Sequence, residues 1–521
     1  MGTAEDVVYA LSRVYLAIVH LVFLAINFFI KKQHVPAPHD DIIMMSATEA
    51  MKKIKSREIT PSQLVSAYIH RIEQVNPMIN AAVVTISDEA RKIAAEYDQR
   101  IADSSDNELA ELVRRQPLFG IPFSCKDSLE VEGQIVTSGS WLRKDHRCTQ
   151  TTVAVKRMQD AGAILIAITN VPELCSWIES NNTVYGRSRN PYDLRRIVGG
   201  SSGGEGALLG AAGTPVGVGS DVGGSIRIPS FVNGIFGLMP TPGIVPLDGH
   251  VPAPLGYKTQ MLRIGPMCRY VEDIPLLLEV MAGDKAPSLH LSSPTDIKKC
   301  RIFYMFGIRL PLIRSLTDVM HDTLVKAVSH FENKFDMEGI CLDLPYVKHH
   351  AGFYSASLEG NIPMSEKVLS LKGDAGKMNG FKELQKVILG KSHHTLAMVM
   401  LVLFESSKSE NKEEAEKFIQ IRDRLKRQIV ETLGFNGVLF FPSWPCPAPF
   451  HNEPLFSLLD TSYTAIFNAL ALPVIQCPMG LDANGIPLGV QVVGAPGCDR
   501  LLIAVAKEIN EAFGGWKPAW Q

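Results

Sequence analysis

The chain has 521 residues, a formal net charge of −2 and 46% hydrophobic residues. This composition is typical of a globular protein and excludes disordered and fibrous chains, because glycine and proline lie near their average frequencies. The near-neutral charge argues against a nucleic-acid-binding protein, which would carry a concentrated basic patch.

The first feature in chain order is an uncharged apolar segment at 14–30, followed by two lysines at 31–32. As a helix it would be about 26 Å long, and extended back to Val7 it reaches spanning length. The sequence therefore predicts a transmembrane or membrane-anchor helix within 1–32, with a buried or membrane-surface helix as the alternative. An acidic N-terminus disfavours a cleaved signal peptide. The lysines favour an intracellular body, and the side of the membrane stays open.

Two helices and a linker are predicted next. The segment 33–40 contains two prolines within four residues, which favours a short semi-rigid linker in extended geometry. Ser46-Ala-Thr-Glu49 is a capping box that predicts the start of one helix. Thr60-Pro61 predicts the start of another, which is expected to end at Asn76-Pro77.

Between residues 118 and 242 short apolar runs alternate with glycine clusters and segments of helical period. Strand alternating with helix predicts an α/β fold in which a sheet is covered by helices. After about residue 283 the chain becomes helix-rich, and it is expected to return to the sheet near its end. The candidate strands are 164–168, 214–218, 437–442 and 487–494.

A glycine-rich segment at 199–237 contains 13 of the chain's 41 glycines. A flexible linker is the simplest explanation, but the apolar runs at 207–209 and 216–218 argue for burial. Glycine would here allow positive φ, close packing and amide groups directed at a ligand.

Short motifs in this segment fit poorly. Gly204 is followed by Glu205 where a Walker A loop needs lysine, and the G-x-G-x-x-G spacing is missed. Gly200-Ser-Ser-Gly-Gly204 satisfies G-x-S-x-G, the nucleophile elbow of α/β-hydrolases, with Ser202 central. That match is weak, because a run rich in glycine and serine produces it easily and no apolar strand precedes it.

A longer pattern involves two serines and one lysine. Gly199-Gly-Ser-Ser-Gly-Gly-Glu-Gly206 and Gly219-Ser-Asp-Val-Gly-Gly-Ser-Ile-Arg-Ile-Pro229 closely resemble the signature of the amidase signature family of serine hydrolases. Upstream, Phe119-Gly-Ile-Pro-Phe-Ser-Cys-Lys-Asp127 resembles that family's strand with the catalytic lysine. The resemblance covers about residues 45–515. It implies a large mixed twisted β-sheet covered by α-helices.

The resemblance also implies a Ser-Ser-Lys triad. In it Ser225 is the nucleophile that forms an acyl ester, Ser201 relays the proton and Lys126 is the base. Lysine can act as a base only if burial or nearby cations lower its pKa, and Lys126 lies in an apolar run. The turn formed by Val222, Gly223 and Gly224 would direct backbone N–H groups at the oxyanion.

Further roles follow from the same resemblance. Cys175, which follows Pro172-Glu-Leu, is expected to line the substrate site through its backbone carbonyl. Asp221 and Arg227 are expected to brace the signature loop by charged hydrogen bonds. Ser202 is expected to support the proton relay.

The resemblance predicts a single amidase catalytic domain at 41–521. Its parts are a signature core at about 118–242, a helix-rich variable part at about 283–434 and core strands at about 435–515. Within the variable part, 381–389 and 396–404 are candidates for an apolar membrane cap. The sequence leaves open whether 396–404 is a cap or part of the core.

The substrate is also suggested by resemblance. Together with the N-terminal segment, Asn190-Pro-Tyr-Asp-Leu194 and Gly265-Pro-Met-Cys-Arg-Tyr270 resemble the fatty-acid amide hydrolases of this family. This implies cleavage of N-acylethanolamines and long-chain primary amides to a fatty acid and an amine or ammonia, at a membrane and without nucleic acid. The alternatives are either a soluble amidase, such as a glutaminyl-tRNA amidotransferase A-like subunit, or a catalytically idle membrane scaffold. The sequence leaves chain-length preference and a homodimer open.

Cysteine and histidine patterns predict no metal or cofactor. The nine cysteines are scattered and include no Cys-x-x-Cys pair, so we expect reduced, buried thiols rather than disulfides or a zinc site. The histidine pairs at 349–350 and 393–394 lack the spacing of helical metal ligands.

Overall fold

The computed structural model of the chain describes residues 2–358, 362–371, 376–406 and 411–521. Thirteen strands lie in these ranges. They are β1 (Ala82–Thr85), β2 (Pro122–Lys126), β3 (Ile164–Thr169), β4 (Asn181–Asn182), β5 (Gly186–Arg187), β6 (Val216–Asp221), β7 (Phe236–Met239), β8 (Arg263–Cys268), β9 (Arg301–Tyr304), β10 (Gly339–Cys341), β11 (Gly437–Pro442), β12 (Val474–Leu481) and β13 (Pro487–Val493).

The α-helices surround these strands. They are α1 (Gly2–Phe28), α2 (Ala47–Lys55), α3 (Pro61–Ile79), α4 (Ser87–Asp103), α5 (Asp106–Arg115), α6 (Val153–Asp160), α7 (Gly203–Gly210), α8 (Arg227–Val232), α9 (Lys258–Met261), α10 (Ile274–Ala282), α11 (Asp318–Phe335), α12 (His350–Ser357), α13 (Met364–Ser370), α14 (Gly380–Ile388), α15 (Leu396–Ser406), α16 (Lys412–Leu433), α17 (Ser462–Ala469) and α18 (Asp499–Phe513).

Eleven strands form one mixed sheet in the order β1-β3-β2-β6-β8-β7-β12-β13-β11-β9-β10, while β4 and β5 form a separate hairpin. Strand β2 pairs in parallel with β3 and β6, and β9 pairs in parallel with β10 and β11. The other neighbours are antiparallel. Strands β2, β3 and β6 are buried at every residue, as expected where helices cover both faces of a sheet. The predicted helix-covered mixed sheet is confirmed.

The predicted helix starts are observed. The Ser46 side chain accepts a hydrogen bond from the Glu49 N–H at the start of α2. A capping box between Thr60 and Gln63 opens α3. The predicted end of α3 at Pro77 is wrong, because the helix continues to Ile79. Ile79 is completely buried, and its packing outweighs the hydrogen bond that the proline ring cannot donate.

The pairing of β2 with β6 positions the signature residues. These strands are parallel, with Cys125 opposite Val218. Their carboxyl ends therefore meet at one edge of the sheet, where Lys126 ends β2 and Asp221 ends β6. The chain then turns into α8, and α7 packs nearby against β2 and β6.

Helix α1 lies along the surface of the body. The side chains of Leu16 and Val19 are buried against the body, whereas most other apolar side chains of α1 are exposed. The segment after α1 is extended, as predicted, but it is fixed to the body. The Val35 N–H donates to Pro191 O at 3.0 Å, and the Val35 side chain is completely buried. This segment is therefore no free spacer.

The variable part contains the apolar hairpin of α14 and α15. One side of α15 is buried with Leu174 in a small cluster that also contains Val368, Met378, Met398, Val399 and Val402. Its other side exposes Leu396, Met400 and Phe404. The segment 396–404 is thus both a packed element and an exposed apolar surface. Within 283–434, residues 359–361, 372–375 and 407–410 lie outside the described ranges.

The cysteines agree with the prediction of reduced thiols. All nine are unpaired, and seven of them are buried.

Candidate active site

The predicted base and proton relay are in direct contact. Lys126 Nζ lies 2.7 Å from Ser201 Oγ, and it also lies 3.0 Å from both the carbonyl oxygen and the Oγ of Ser220. Lys126 and Ser201 are each 1% exposed. Both side chains are therefore almost completely shielded from bulk solvent.

The protonation of Lys126 is shifted in the direction that catalysis needs. Burial lowers the pKa of the Lys126 ammonium, and the nearby groups Cys175, Asp221 and Glu205 oppose that shift. A lower pKa enlarges the fraction of neutral amine that can accept a proton near neutral pH.

Ser202 does not occupy the position of a nucleophile. Its Oγ donates to Ser220 O at 3.1 Å and accepts from the Ser220 N–H at 3.3 Å. Its side chain is completely buried, and it does not line the pocket. The Ser202 hydroxyl therefore joins the segment before α7 to strand β6, and the nucleophile elbow is disfavoured.

Ser225 lies next to the segment that carries Ser201, but its side chain makes no hydrogen bond to Ser201 or Lys126. Its carbonyl oxygen accepts from the Ser202 N–H at 3.1 Å, and its side chain retains some exposure, at 8%. Both side chains are described, and no hydrogen bond joins Ser225 Oγ to Ser201 Oγ. Catalytic hydrogen bonds often shorten only once the substrate is in place. The structure thus brings Lys126 and Ser201 into contact and places the Ser225 backbone beside Ser202, while the Ser225 side chain is not among the residues that line the pocket.

Asp221 holds the signature loop from within. Its Oδ1 accepts from the Gly224 N–H at 2.7 Å, and its Oδ2 accepts from the Ile226 N–H and from Arg227 Nε, both at 3.0 Å. Both members of the Asp221–Arg227 ion pair are 0% exposed. Burial alone would raise the pKa of Asp221, but the charge and hydrogen bonds of Arg227 bring it down to about 2. The predicted bracing role of this pair is confirmed.

The loop carbonyls are also fixed, which orients the peptide N–H groups. The Tyr354 hydroxyl donates to Val222 O at 3.3 Å, and Thr464 Oγ1 donates to Gly223 O at 2.8 Å. The Gly224 carbonyl accepts from the Ile228 N–H at 2.7 Å. In a trans peptide the N–H points away from the carbonyl of the preceding residue. The Gly223 N–H therefore points away from the Tyr354 hydroxyl, and the Ser225 N–H points away from the Ile228 N–H.

One predicted oxyanion donor is corrected. The Gly224 N–H is already donated to Asp221, so it is unavailable for an oxyanion. In the described structure the N–H groups of Val222, Gly223 and Ser225 have no hydrogen-bond acceptor. The sequence could not show this, because no residue pattern indicates which amides of a turn are already used in hydrogen bonds. Gly224 contributes its conformation instead, with φ +125°.

A pocket opens onto the lysine and serine pair. Ser201, Ser220, Val222, Cys175, His250 and Lys258 contribute to its lining. Cys175 is one of the lining residues, with a backbone φ of +54°, and a substrate contact of its carbonyl stays a prediction. Its neighbour Leu174 also lines the pocket and packs in the cluster under α15, so the apolar hairpin adjoins the site.

His250 and Lys258 were missed by sequence reasoning. Neither lies in the signature, and both belong to the connection between β7 and β8. No local pattern marks them, because only the folding of this connection brings them to the pocket.

One set of side chains in the described ranges has metal-ligand chemistry. Oxygen, nitrogen and sulfur atoms of Glu130, His146 and Cys148 lie within 4.8 Å of one another. The Glu130 carboxylate is already bound by Arg143 at 3.2 Å and Gln150 at 2.6 Å. None of these three residues lines the pocket.

Comparison with known proteins places this geometry in context. A family model described as Amidase matches residues 63–503. Human fatty-acid amide hydrolase 2 (Homo sapiens) is 40% identical over 484 residues, covering 92% of this chain and 90% of that protein. A glutamyl-tRNA(Gln) amidotransferase chain of Carboxydothermus hydrogenoformans is 28% identical over 509 residues, covering 92% of this chain and 99% of that protein. A solved structure of a fatty acid amide hydrolase has a TM-score of 0.74 at 22% identity, covering 98% of this chain and 97% of that one.

Proposed function

The chain belongs to the amidase family, and from this premise we propose that it is a membrane-associated serine hydrolase of fatty-acid amides. It would cleave N-acylethanolamines and long-chain primary amides to a fatty acid and an amine or ammonia. The observation that carries the chemistry is the buried contact of 2.7 Å between Lys126 Nζ and Ser201 Oγ. The fatty-acid substrate is supported by the 40% identity to human fatty-acid amide hydrolase 2.

In the proposed acylation, neutral Lys126 takes the proton of Ser201, and Ser201 takes the proton of Ser225. Ser225 Oγ then forms a bond to the amide carbonyl carbon, and the carbonyl π electrons move to oxygen. The unpaired N–H groups of Val222, Gly223 and Ser225 are the donors available to that oxyanion.

Collapse of this intermediate restores the carbonyl and breaks the carbon–nitrogen bond. The leaving nitrogen receives a proton from Ser201, which recovers it from the Lys126 ammonium. A water molecule then loses a proton through the same relay and attacks the ester carbon. Collapse of this second intermediate breaks the bond between the acyl carbon and Ser225 Oγ. The proton taken from water returns from Lys126 through Ser201 to Ser225 Oγ, and the fatty acid leaves.

An apolar entrance supports a lipid substrate. The α14–α15 hairpin packs on Leu174 at the pocket and exposes an apolar surface formed by Phe381, Ile388, Leu389, Leu396, Met400 and Phe404. Exposed apolar clusters of this kind are typical of membrane or ligand contacts. We propose that this hairpin is a membrane-facing cap through which the acyl chain enters.

Helix α1 supplies the second proposed membrane contact. The segment 6–28 is long and apolar enough to span a membrane. It is nevertheless bound to the body along its length, since Tyr9 Oη lies 2.8 Å from Ser315 Oγ and Arg195 Nη1 donates to Asn27 O at 3.1 Å. Tyr9 and Asn27 are 18 residues apart, or about 27 Å along the helix.

The middle of α1 contacts a buried carboxylate of the body, that of Glu453. His20 Nδ1 lies 3.0 Å from Glu453 Oε1, and the same oxygen accepts from Arg314 Nη2 at 3.1 Å. These polar groups of the body would enter the hydrocarbon if the docked helix crossed a bilayer, at a high energetic cost. We therefore propose that α1 lies in the membrane interface with its outer apolar face in the lipid.

We also propose that residues 41–521 form one catalytic domain. The support is the single eleven-stranded sheet, which takes strands from residues 82–85 through to 487–493.

The experiment that tests the proposed function is a substrate panel on the purified full-length chain. The amides would include an N-acylethanolamine series, long-chain primary amides and glutamine. We expect hydrolysis of the fatty amides, and loss of both hydrolysis and fluorophosphonate labelling in Ser225→Ala.

Ser202→Ala separates the triad from a nucleophile elbow. We expect it to keep labelling at Ser225, because its hydroxyl only joins backbone segments. Labelling that persisted in Ser225→Ala and vanished in Ser202→Ala would contradict the triad. Hydrolysis of glutamine alone would favour the amidotransferase-like alternative, and no hydrolysis of any amide would favour an idle scaffold.

A further inference from the structure

His250 is a buried histidine that the proposed reaction does not use. It lies in the connection between β7 and α9 and is 6% exposed. Its Nδ1 lies 3.0 Å from Pro252 O, and its Nε2 lies 2.9 Å from Ser220 Oγ. Ser128 Oγ is farther from Nε2, at 3.5 Å.

The surroundings determine which ring nitrogen carries the hydrogen. A carbonyl oxygen only accepts, so Nδ1 must donate to Pro252 O. Burial and the positive charge of Lys126 lower the pKa of His250 to about 3, and the ring is therefore neutral at physiological pH. Nε2 is then an acceptor, and the hydrogen that it receives is the one on Ser220 Oγ.

This hydrogen bond determines how Ser220 faces Lys126. With its hydrogen directed at His250, Ser220 Oγ presents lone pairs to Lys126 Nζ at 3.0 Å. The Ser220 carbonyl accepts from the same nitrogen at 3.0 Å. A neutral lysine has two N–H groups, and both are used by Ser220. Its lone pair is left facing Ser201 Oγ, at 2.7 Å.

We propose that His250 is a positioning residue that keeps the Ser220 hydroxyl an acceptor and thereby directs the lone pair of Lys126 at Ser201. This proposal rests on the proposed role of Lys126 as the base. Without an acceptor at position 250, the Ser220 hydroxyl can turn and donate to the lone pair of Lys126. That hydrogen bond competes directly with proton transfer from Ser201.

Several charged or titratable groups face these two residues. Lys126 is influenced by Cys175, Asp221 and Glu205, and His250 by Lys126 and Lys258. All of them remain in the variants below. Because these groups are unchanged, we attribute a change in the pH profile to loss of the hydrogen bond between His250 and Ser220.

The test compares steady-state hydrolysis of a long-chain primary amide by wild type and His250→Leu between pH 5 and 10. We expect kcat to fall about 10- to 100-fold, the loss typical when a partner that orients a metal ligand is removed, because in both cases a reacting lone pair loses its orientation. We expect little change in KM. The acidic limb of the kcat/KM profile should move to lower pH, because a hydroxyl that donates to the neutral amine stabilises the deprotonated form.

Rescue and coupling distinguish positioning from packing. His250→Gln should recover most of kcat, because its amide oxygen can accept from Ser220. His250→Leu should have no further effect in a Ser220→Ala background, because the proposed action passes through that hydroxyl. His350→Leu is the matched control, since His350 is also buried with Nδ1 3.0 Å from a backbone carbonyl, that of Val347. It should leave the pH profile unchanged.

Thermal unfolding verifies that each variant is folded. If His250→Leu does not fold, His250→Asn replaces it with the same expected loss, because the shorter amide cannot reach Ser220. An unchanged kcat and pH profile in the folded variant, or effects that add to those of Ser220→Ala, would overturn the positioning role alone. A wild type that hydrolyses no amide would overturn the proposed function and this proposal together.

Discussion

Lys126 and Ser201 are separated by 75 positions in the chain, yet Lys126 Nζ and Ser201 Oγ lie 2.7 Å apart in the interior. Lys126 is the last residue of β2, and Ser201 lies just before α7, which packs against that strand. The contact depends on this packing. In the proposed mechanism, the proton passes from Ser201 to Lys126 at this contact.

The first prediction concerns the base itself. Lys126→Arg keeps the positive charge and much of the length, but a guanidinium does not lose its proton in a protein. We expect kcat to fall at least 100-fold, the lower end of the usual contribution of general base catalysis. Hydrolysis kinetics check this result. Lys156→Arg, at an exposed lysine, is the control and should match wild type. Near-normal turnover by Lys126→Arg would exclude Lys126 as the base.

The second prediction concerns the conformation of the signature loop. Gly224 has φ +125°, and a Cβ there would lie 2.1 Å from Thr464 Oγ1. Gly224→Ala should displace the adjacent N–H donors and lower kcat about 100- to 1000-fold. Gly243→Ala is the matched control, because Gly243 also has positive φ, +75°, but open space around it. Equal kcat in Gly224→Ala and Gly243→Ala would show that the signature loop accommodates a Cβ at Gly224 without displacing the N–H donors.

The third prediction concerns the buried ion pair. Asp221→Asn leaves Arg227 charged and unpaired where both side chains are 0% exposed. We expect a loss of about 3–5 kcal/mol in the free energy of unfolding, measured by denaturant titration. Asp296→Asn breaks an exposed pair with Lys299 and should be indistinguishable from wild type. If the two variants lost equal stability, the burial argument would fail.

The fourth prediction concerns pH and Glu205. Burial raises the pKa of Glu205 to about 8, although hydroxyls of Ser124 and Thr169 donate to it. The folded chain therefore holds this proton more tightly than the unfolded chain, whose glutamate has a pKa near 4.5. Between those values only the unfolded state releases the proton, so this group makes stability decrease as pH rises from about 5 to 8.

Glu205→Gln removes that contribution while keeping the size of the side chain. Relative to wild type, the variant should gain stability as pH rises from 5 to 8, measured as the difference in melting temperature. Glu111→Gln, at a partly exposed helix position, should show no such relative gain. A difference that stayed constant across this range would mean that Glu205 is ionised in the folded protein.

The fifth prediction concerns the outer face of α1. Val14, Ile18 and Leu21 are 56%, 55% and 60% exposed, and replacing all three with serine removes much of the proposed lipid contact. We expect a larger fraction of the variant in the supernatant, with the remainder retained in the pellet by the α14–α15 hairpin, and unchanged activity on a soluble short-chain amide. Phe435→Ser is the control, because Phe435 is 91% exposed far along the chain, and it should remain in the pellet.

The orientation of α1 has its own readout. A helix that lies in the interface leaves tags at both chain ends on the same side of sealed microsomes, so protease should either remove both tags or leave both intact. A protected N-terminal tag with a cleaved C-terminal tag would show that the helix spans the membrane.

The candidate triad could be proposed from the sequence, because contiguous motifs resemble the signature of a known family. The signature predicted Lys126, Ser201 and Ser225, and the composition of 14–30 predicted a membrane-competent helix. The alternation of apolar runs and helical segments predicted the helix-covered sheet. These properties depend on residue type and local spacing, which sequence records directly.

Other properties were decided only by tertiary structure. The parallel pairing of β2 with β6 brings Ser220 beside Lys126, and the connection after β7 brings His250 to Ser220. The Gly224 N–H proved to be already donated to Asp221. Helix α1 proved to be bound to the body, which its hydropathy could not indicate. Each of these depends on a contact between distant parts of the chain. Such contacts follow from strand order and packing, and no local pattern encodes them.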